Sequence, residues 1–155
     1  MLTTRELCGI LIADDDKDDC FLINKALEES GVKNPVHFLQ DGSKLLEHLS
    51  ENLRTLDAKG LPSLPCLILL DLNMPLMDGR ETLKRLKANT DYRKIPVVIL
   101  SNSKNPDDIT TAYREGAASF MTKPDDYQGL VNMMAMLKTY WFQTVQLPLK
   151  SLPQG

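Results

Sequence analysis

The chain has 155 residues, 43% of them hydrophobic and 25% charged, which is enough for one domain with its own core, too few for two, and too apolar for a disordered polymer. A formal net charge of -3 excludes the strongly basic face of a nucleic-acid binder. The opening MLTTRELC lacks the basic start and apolar centre of a signal peptide, and no apolar run approaches the ~20 residues of a membrane span. A cytoplasmic protein with no membrane and no nucleic-acid partner is expected.

Five short apolar runs follow in order: CGILIA (8–13), VHFL (36–39), CLILLD (66–71), VVILS (97–101) and ASFMT (118–122). Helical patterns alternate with them, the signature of a parallel sheet covered on both faces. CLILL and VVIL are apolar at consecutive positions, as central strands are, whereas VHFL suits an edge. The first helix carries Phe21, Leu22 and Leu27 and closes at Ser30-Gly31. The second is expected to be capped by Ser43, with Leu45, Leu46, Leu49 and Leu53 as its apolar stripe. TLDAKGLPSLP reads as an exposed loop. Asp78-Gly79 opens the third helix, Asn105-Pro106 opens the fourth, and Gly116 ends it. A right-handed chain of this kind most often forms a flavodoxin-like (βα)5 doubly wound α/β sheet of strand order 2-1-3-4-5. Cys8, Cys20 and Cys66, odd in number and set among apolar residues, read as buried free thiols rather than a disulfide or a metal site. His37 and His48 stand apart, without zinc-ligand spacing, and are expected on surfaces or caps.

In that topology Asp14 and Asp15 follow strand one, Asp71 ends strand three, Ser101 ends strand four and Lys123 lies just past strand five, all on one rim. Adjacent strands lie about 4.8 Å apart, so these groups converge. Two carboxylates about 4 Å apart repel by roughly 4 kcal/mol at an effective dielectric near 20. Lys123 offsets part of that repulsion, and a hard divalent cation offsets the rest. Mg²⁺ suits the site because it binds through one or two carboxylates, keeps waters and accepts a phosphate oxygen. Asp71 is then a nucleophile toward phosphorus, with Mg²⁺ and Lys123 neutralising the phosphoryl oxygens. Within ADDDKDD, Asp15 is expected as a direct ligand, Asp14 as a ligand through water and Asp16 as a helix cap, with Asp18 and Asp19 solvated and replaceable.

The runs ILIADD, LILLDLNMPLMDG, PVVILS and FMTKP, in that order and spacing, resemble the receiver domain of two-component response regulators across about residues 8–146. The resemblance implies that Asp71 is the phosphoacceptor, that Asp14 and Asp15 are the acidic pair, and that the backbone carbonyl of Asn73 completes the Mg²⁺ site. It also implies that Ser101 is the switch hydroxyl, Phe120 the switch aromatic and Lys123 the phosphate-contacting lysine, with Lys123-Pro124 a cis peptide. A sensor histidine kinase would supply the phosphoryl group within a phosphorelay. The chain would catalyse only its own phosphotransfer and slow autodephosphorylation, and would signal to a downstream protein through the face of its fourth helix, fifth strand and fifth helix. The long loop before strand three, the LSNS after strand four and the chain's ending resemble the small receivers that partner phytochrome-type kinases.

Two other readings of the rim fare worse, and a third is settled by phosphorylation. An EF-hand counted from Asp14 needs glycine sixth and glutamate twelfth, where Asp19 and Lys25 stand. A haloacid-dehalogenase-type phosphatase needs a second aspartate two residues after the first, where Asn73 stands, and an amide is no general acid. A pseudo-receiver that only docks a partner would have no use for the complete acidic rim. Residues 1–147 are expected to form the receiver and 148–155 a short tail. The last helix, about Asp126 to Gln146, spans about 30 Å. Leu130, Met134, Leu137 and Trp141 are expected to finish the core, leaving Tyr140, Phe142 and Met133 as a partner or homodimer surface.

Overall fold

A computed structural model describes residues 8–56, 60 and 63–148. The central part of the loop TLDAKGLPSLP and most of the 148–155 tail lie outside the described residues. Strands β1 (Ile10–Ala13), β2 (Val36–Leu39), β3 (Leu67–Leu70), β4 (Val97–Ser101) and β5 (Ser119–Thr122) alternate with helices α1 (Lys17–Glu29), α2 (Gly42–Arg54), α3 (Gly79–Ala88), α4 (Pro106–Arg114) and α5 (Tyr127–Leu137). The strands pair in parallel in the order β2-β1-β3-β4-β5, the flavodoxin-like arrangement. Ala13 sits beside Leu70, Leu70 beside Ile99, and Ser101 beside Thr122.

The period-two geometry of a strand divides the central runs between two cores. Leu11, Ala13, Ile68, Leu70, Val97 and Ile99 face α2, α3 and α4, where they meet Leu45, Leu49, Leu83, Leu86 and Ala112. Ile10, Ile12, Leu67, Leu69, Val98 and Leu100 face α1 and α5, against Ile23, Ala26, Leu27, Leu130, Met134 and Leu137. Each such side chain, fully buried, contributes about 1.5–3 kcal/mol of hydrophobic stabilisation before entropy is counted. Phe21 and Leu22 lie on the outer side of α1, exposed.

Each of α1 to α5 starts on an Asp or Asn in the segment that follows a strand. Asp16, Asp41, Asp78, Asn105 and Asp126 each accept a hydrogen bond from a backbone N–H in the first turn of α1 to α5. A parallel α/β sheet thus collects its cap carboxylates on the same rim as its site. The cap of α2 is Asp41, not Ser43: the chain turns inward after β2, Asp41 is 3% exposed, and its carboxylate accepts from the Lys44 N–H at 2.9 Å. Ser43 falls inside the helix.

Beyond α5 the chain continues as a π-helical segment, Lys138–Thr144, in which the Val145 N–H donates to the Tyr140 carbonyl five residues back. The wider winding rephases the side chains. Phe142 turns into the core at 8% exposure, Met133 and Trp141 pack half-buried against the same cluster, and Tyr140 and Met136 stay outside at 52% and 60%. The expected outer surface therefore loses Phe142 and Met133 and keeps Tyr140.

The cysteine expectation is overturned for two of three residues. Cys8 and Cys66 form a disulfide with Cα atoms 5.6 Å apart, and only Cys20 is a free thiol among the described residues. Register explains it. Ile10 pairs with Leu67, so the residues just before these strands meet at the foot of the sheet, although 58 positions separate them. The histidines are also not isolated: β2 and α2 bring the His37 and His48 rings to 5.2 Å between centroids, and burial, then the neighbouring His37, lower the His48 pKa.

Closing a loop of this length by a disulfide removes unfolded-state entropy worth about 4 kcal/mol at most. Dithiothreitol, or Cys66→Ser, is expected to lower the unfolding free energy by about 2–4 kcal/mol in urea titrations. An unchanged midpoint would show that the bridge does not form in solution.

Candidate functional site

The rim between β1, β3 and β5 holds the convergence expected from the strand ends. Asp14, Asp15 and Asp71 each offer a carboxylate oxygen within 4.8 Å of the others, the one such metal-ligating group of three or more among the described residues. Asp14 is buried at 2% exposure and Asp71 at 8%, whereas Asp15 faces solvent. The parallel ladder fixes the first two: the Asp14 N–H donates to the Leu39 carbonyl and the Asp71 N–H to the Ala13 carbonyl, both at 2.9 Å.

Lys123 enters from the end of β5, with its side chain only 8% exposed. Its Nζ donates to Asp14 Oδ2 and Asp19 Oδ2 at 2.7 Å and reaches Asp71 Oδ2 at 3.5 Å. Burial works against the ammonium, but the Asp14 and Asp19 carboxylates outweigh it and hold the Lys123 pKa well above the ordinary lysine value. Asp19 is thus not a solvated, replaceable charge. One turn into α1, it faces back toward the rim and supplies the second short anchor for the lysine. Asp18 remains exposed.

The Asp14 carboxyl is raised above its usual value, first by burial, and neither Lys123 nor the hydrogen bond from the Asp16 N–H at 2.9 Å cancels that rise. The excess of negative charge is read from the count: Asp14, Asp15, Asp19 and Asp71 surround one ammonium. The Cys20 thiol, which donates to the Asp14 carbonyl, is pushed up to about 11 by burial and then by Asp14. The pocket that gathers cations therefore keeps its neighbouring thiol protonated.

The turn between β3 and α3 is set tightly against the back of Asp71. A Cβ on Gly79 would collide with the Asp71 carbonyl, and the Gly79 N–H donates to the Leu72 carbonyl at 2.9 Å, so only glycine fits there. Asn73 is exposed in this turn, and its N–H donates to Asp71 Oδ1 at 3.3 Å. Leu76, at φ 63 and 91% exposed, takes a left-handed conformation that costs a non-glycine residue about 1–2 kcal/mol.

Ser101 is fully buried at the end of β4, and its Oγ accepts from the Ser103 N–H at 3.2 Å. Phe120 packs half-buried against the first core, and its N–H donates to the Tyr113 hydroxyl at 3.1 Å, tying β5 to α4. The Lys123-Pro124 peptide is trans, against the expectation of cis. The X–Pro bond prefers trans by about 0.5–1 kcal/mol in general, and the trans chain here already delivers Nζ to the carboxylates.

A model of the response regulator receiver domain matches residues 10–135. The chain belongs to that family. The receiver is 35% identical over 139 residues to the response regulator Rcp1 of Synechocystis sp., covering 90% of this chain and 92% of Rcp1. Among solved structures it is similar to the phosphorylated cyanobacterial phytochrome response regulator RcpA, with TM-score 0.80, 35% identity, and 92% and 99% of the two chains covered. It is also similar to the Mn²⁺-bound form of Rcp1, with TM-score 0.78, 34% identity, and 92% and 99% covered. Receiver domains are two-component signalling modules rather than enzymes in the usual sense, and their acidic pocket takes a divalent cation. The acidic group of this receiver fits one: three oxygen donors, two of them buried, with one lysine between them. No helix among the described residues is long and apolar enough to cross a membrane.

Asp14 and its two rim partners are expected to respond oppositely to neutralisation in EDTA. Asp15→Ala and Asp71→Asn relieve repulsion and raise the melting temperature. Asp14→Ala leaves Lys123 short of a partner and lowers stability by about 1–3 kcal/mol. Thermal melts of the three variants check this, and a fall in all three would remove the case for net repulsion.

Proposed function

We propose that this chain is a stand-alone response regulator that accepts a phosphoryl group from a sensor histidine kinase on Asp71, with Mg²⁺. The observation that carries this reading is the Lys123 ammonium set 3.5 Å from Asp71 Oδ2 within a buried, over-charged group of carboxylates. A carboxylate so placed is a nucleophile toward phosphorus, and the incoming group brings an oxygen for the cation and one for the lysine.

Asp15 and Asp71 serve as direct ligands, Asp14 through water, and the Asn73 carbonyl completes the set. When bound, the ion neutralises charge on the phosphoryl oxygens. Lys123, already held near Asp71, gives up part of its contact with Asp14 and Asp19 to bind a phosphoryl oxygen. Ser101 is the switch hydroxyl and Phe120 the switch aromatic. A phosphoryl group on Asp71 draws the Ser101 hydroxyl toward it, Phe120 follows into the vacated space, and the α4-β5-α5 face changes its packing. The Tyr113 bond to the Phe120 N–H makes α4 part of that movement.

The working unit runs over residues 1–147, with 148–155 as a tail, in the cytoplasm. A downstream protein reads the α4-β5-α5 face, and the exposed Tyr140 and Met136 suit a homodimer contact. Cytosolic thiols are mostly kept reduced, so the Cys8–Cys66 bridge forms there only under oxidation.

Incubation with acetyl phosphate and Mg²⁺, followed by intact-protein mass spectrometry, tests the proposal. One phosphoryl group is expected on the wild type and none on Asp71→Asn. No gain, or an equal gain in the variant, would leave the pseudo-receiver reading in its place.

A further inference from the structure

The chain's 2 histidines take no part in the acidic rim, yet the fold brings them together. In the β1–β2 ladder His37 pairs with Leu11, and paired residues of a parallel ladder point to the same face. His37 therefore lies on the side of the sheet that α2 covers, at the outer strand, where it is exposed. His48 stands in α2 one turn after Leu45 and next to Leu49, both fully buried, and so flanks the apolar stripe, half-buried itself. The two rings meet at 5.2 Å between centroids, their planes tilted by 43°.

An aromatic contact alone would be served by any pair of rings; imidazole adds a nitrogen lone pair. No hydrogen bond to a described residue engages either ring, so the nitrogens stay available, and a half-turn about the Cβ–Cγ bond presents one or the other. Burial, then His37, lower the His48 pKa and favour the neutral imidazole, the form that ligates a metal. Two imidazoles sharing one tetrahedral ion, each nitrogen about 2.0–2.1 Å from it, hold their centroids about 5 Å apart. The observed spacing matches that arrangement.

We propose that His37 and His48 form a two-imidazole chelate for a borderline divalent cation of the Zn²⁺ class, seated between β2 and α2. Imidazole favours Zn²⁺, Ni²⁺ or Cu²⁺ over the hard Mg²⁺ that suits carboxylates, so this site and the rim take different ions. Glu51, three residues on in the same helix, adds a negative charge that acts on His48 without completing a three-ligand cluster, and waters fill the remaining positions. Because β2 is hydrogen-bonded to β1 alone, an ion held there fastens the open edge of the sheet to α2. The site is independent of the chemistry assigned to Asp71.

The test is a ZnCl₂ titration of the ¹⁵N-labelled chain, with Mg²⁺ in excess to fill the rim, read from the imidazole nitrogen signals by NMR. With 2 histidines in the chain, those signals report on this site alone. Mg²⁺ by itself should move neither ring, and Zn²⁺ should move both over the same concentration range. In His37→Gln the His48 signals should need at least about tenfold more Zn²⁺, because the second arm of the chelate is missing, and His48→Gln should show the same for His37. His37 is exposed, so His37→Gln is expected to keep the fold, and melts in EDTA check both variants. Movement of one histidine only, an equal Zn²⁺ response in the single variants, no shift below a large excess of Zn²⁺, or a shift that appears only as the protein dimerises would overturn the inference.

Discussion

One buried lysine holds the working end of this molecule together. Lys123 is drawn by three carboxylates from three elements, Asp14 at the end of β1, Asp19 in α1 and Asp71 at the end of β3, while its own backbone N–H completes the sheet by donating to the Ser101 carbonyl at 2.8 Å. Its stem therefore crosses from the outermost strand to the centre of the rim. Burying such a cluster is favourable only if the ions are paired and hydrogen-bonded, and here the pairing is incomplete by design of the count: four carboxylates, with Asp15, meet one ammonium. In the proposed function, that excess negative charge is what the rim offers to a cation and, with the cation, to a phosphoryl group.

The fold makes that concentration of charge affordable by keeping the rest of the sheet apolar. Below the rim, β1, β3 and β4 are fully buried on both faces. The two cores hold the strand ends in register, so that small shifts of Asp14 against Asp71 are resisted by the packing of Ile12, Leu69 and Leu70. The foot of the same two strands is fastened by the Cys8–Cys66 bridge. Outside this frame lie the loop after β4 and the half-buried edge strand β5; Ser101, at the end of β4, and Phe120, on β5, are linked to α4 through Ser103 and Tyr113.

Much of this was legible in the residues. Consecutive apolar positions in LILL and VVIL mark central parallel strands, and that topology alone carries Asp14, Asp15, Asp71, Ser101 and Lys123 to one rim. What escaped depends on register or on side-chain reach. Asp19 looks like a helix-start charge, but the pitch of α1 returns it to the lysine. Cys8 and Cys66 meet because β1 and β3 are neighbours in a defined register, which spacing along the chain conceals. Asp41 outcompetes Ser43 for the cap because the chain enters α2 two residues earlier. Phe142 is buried because the helix widens to π winding after Leu137, a change that an apolar stripe of α-helical period does not announce. The Arg80–Asp108 pair joins α3 to α4 across 28 positions, and Ser103 reaches Asp108 from the loop before α4, 5 residues away, with no local pattern to reveal it.

The central claim is that the rim is over-charged and completed by a divalent cation held at Asp15 and Asp71. Its most direct test is the unfolding free energy of the wild type and of Asp15→Ala as Mg²⁺ is raised from EDTA to saturation. A ligand that binds only the folded state stabilises it by about 2.7 kcal/mol at a hundred times its dissociation constant. The wild type should show that logarithmic rise and Asp15→Ala should lose most of it. A flat wild-type response, or an equal rise in both proteins, would contradict the account.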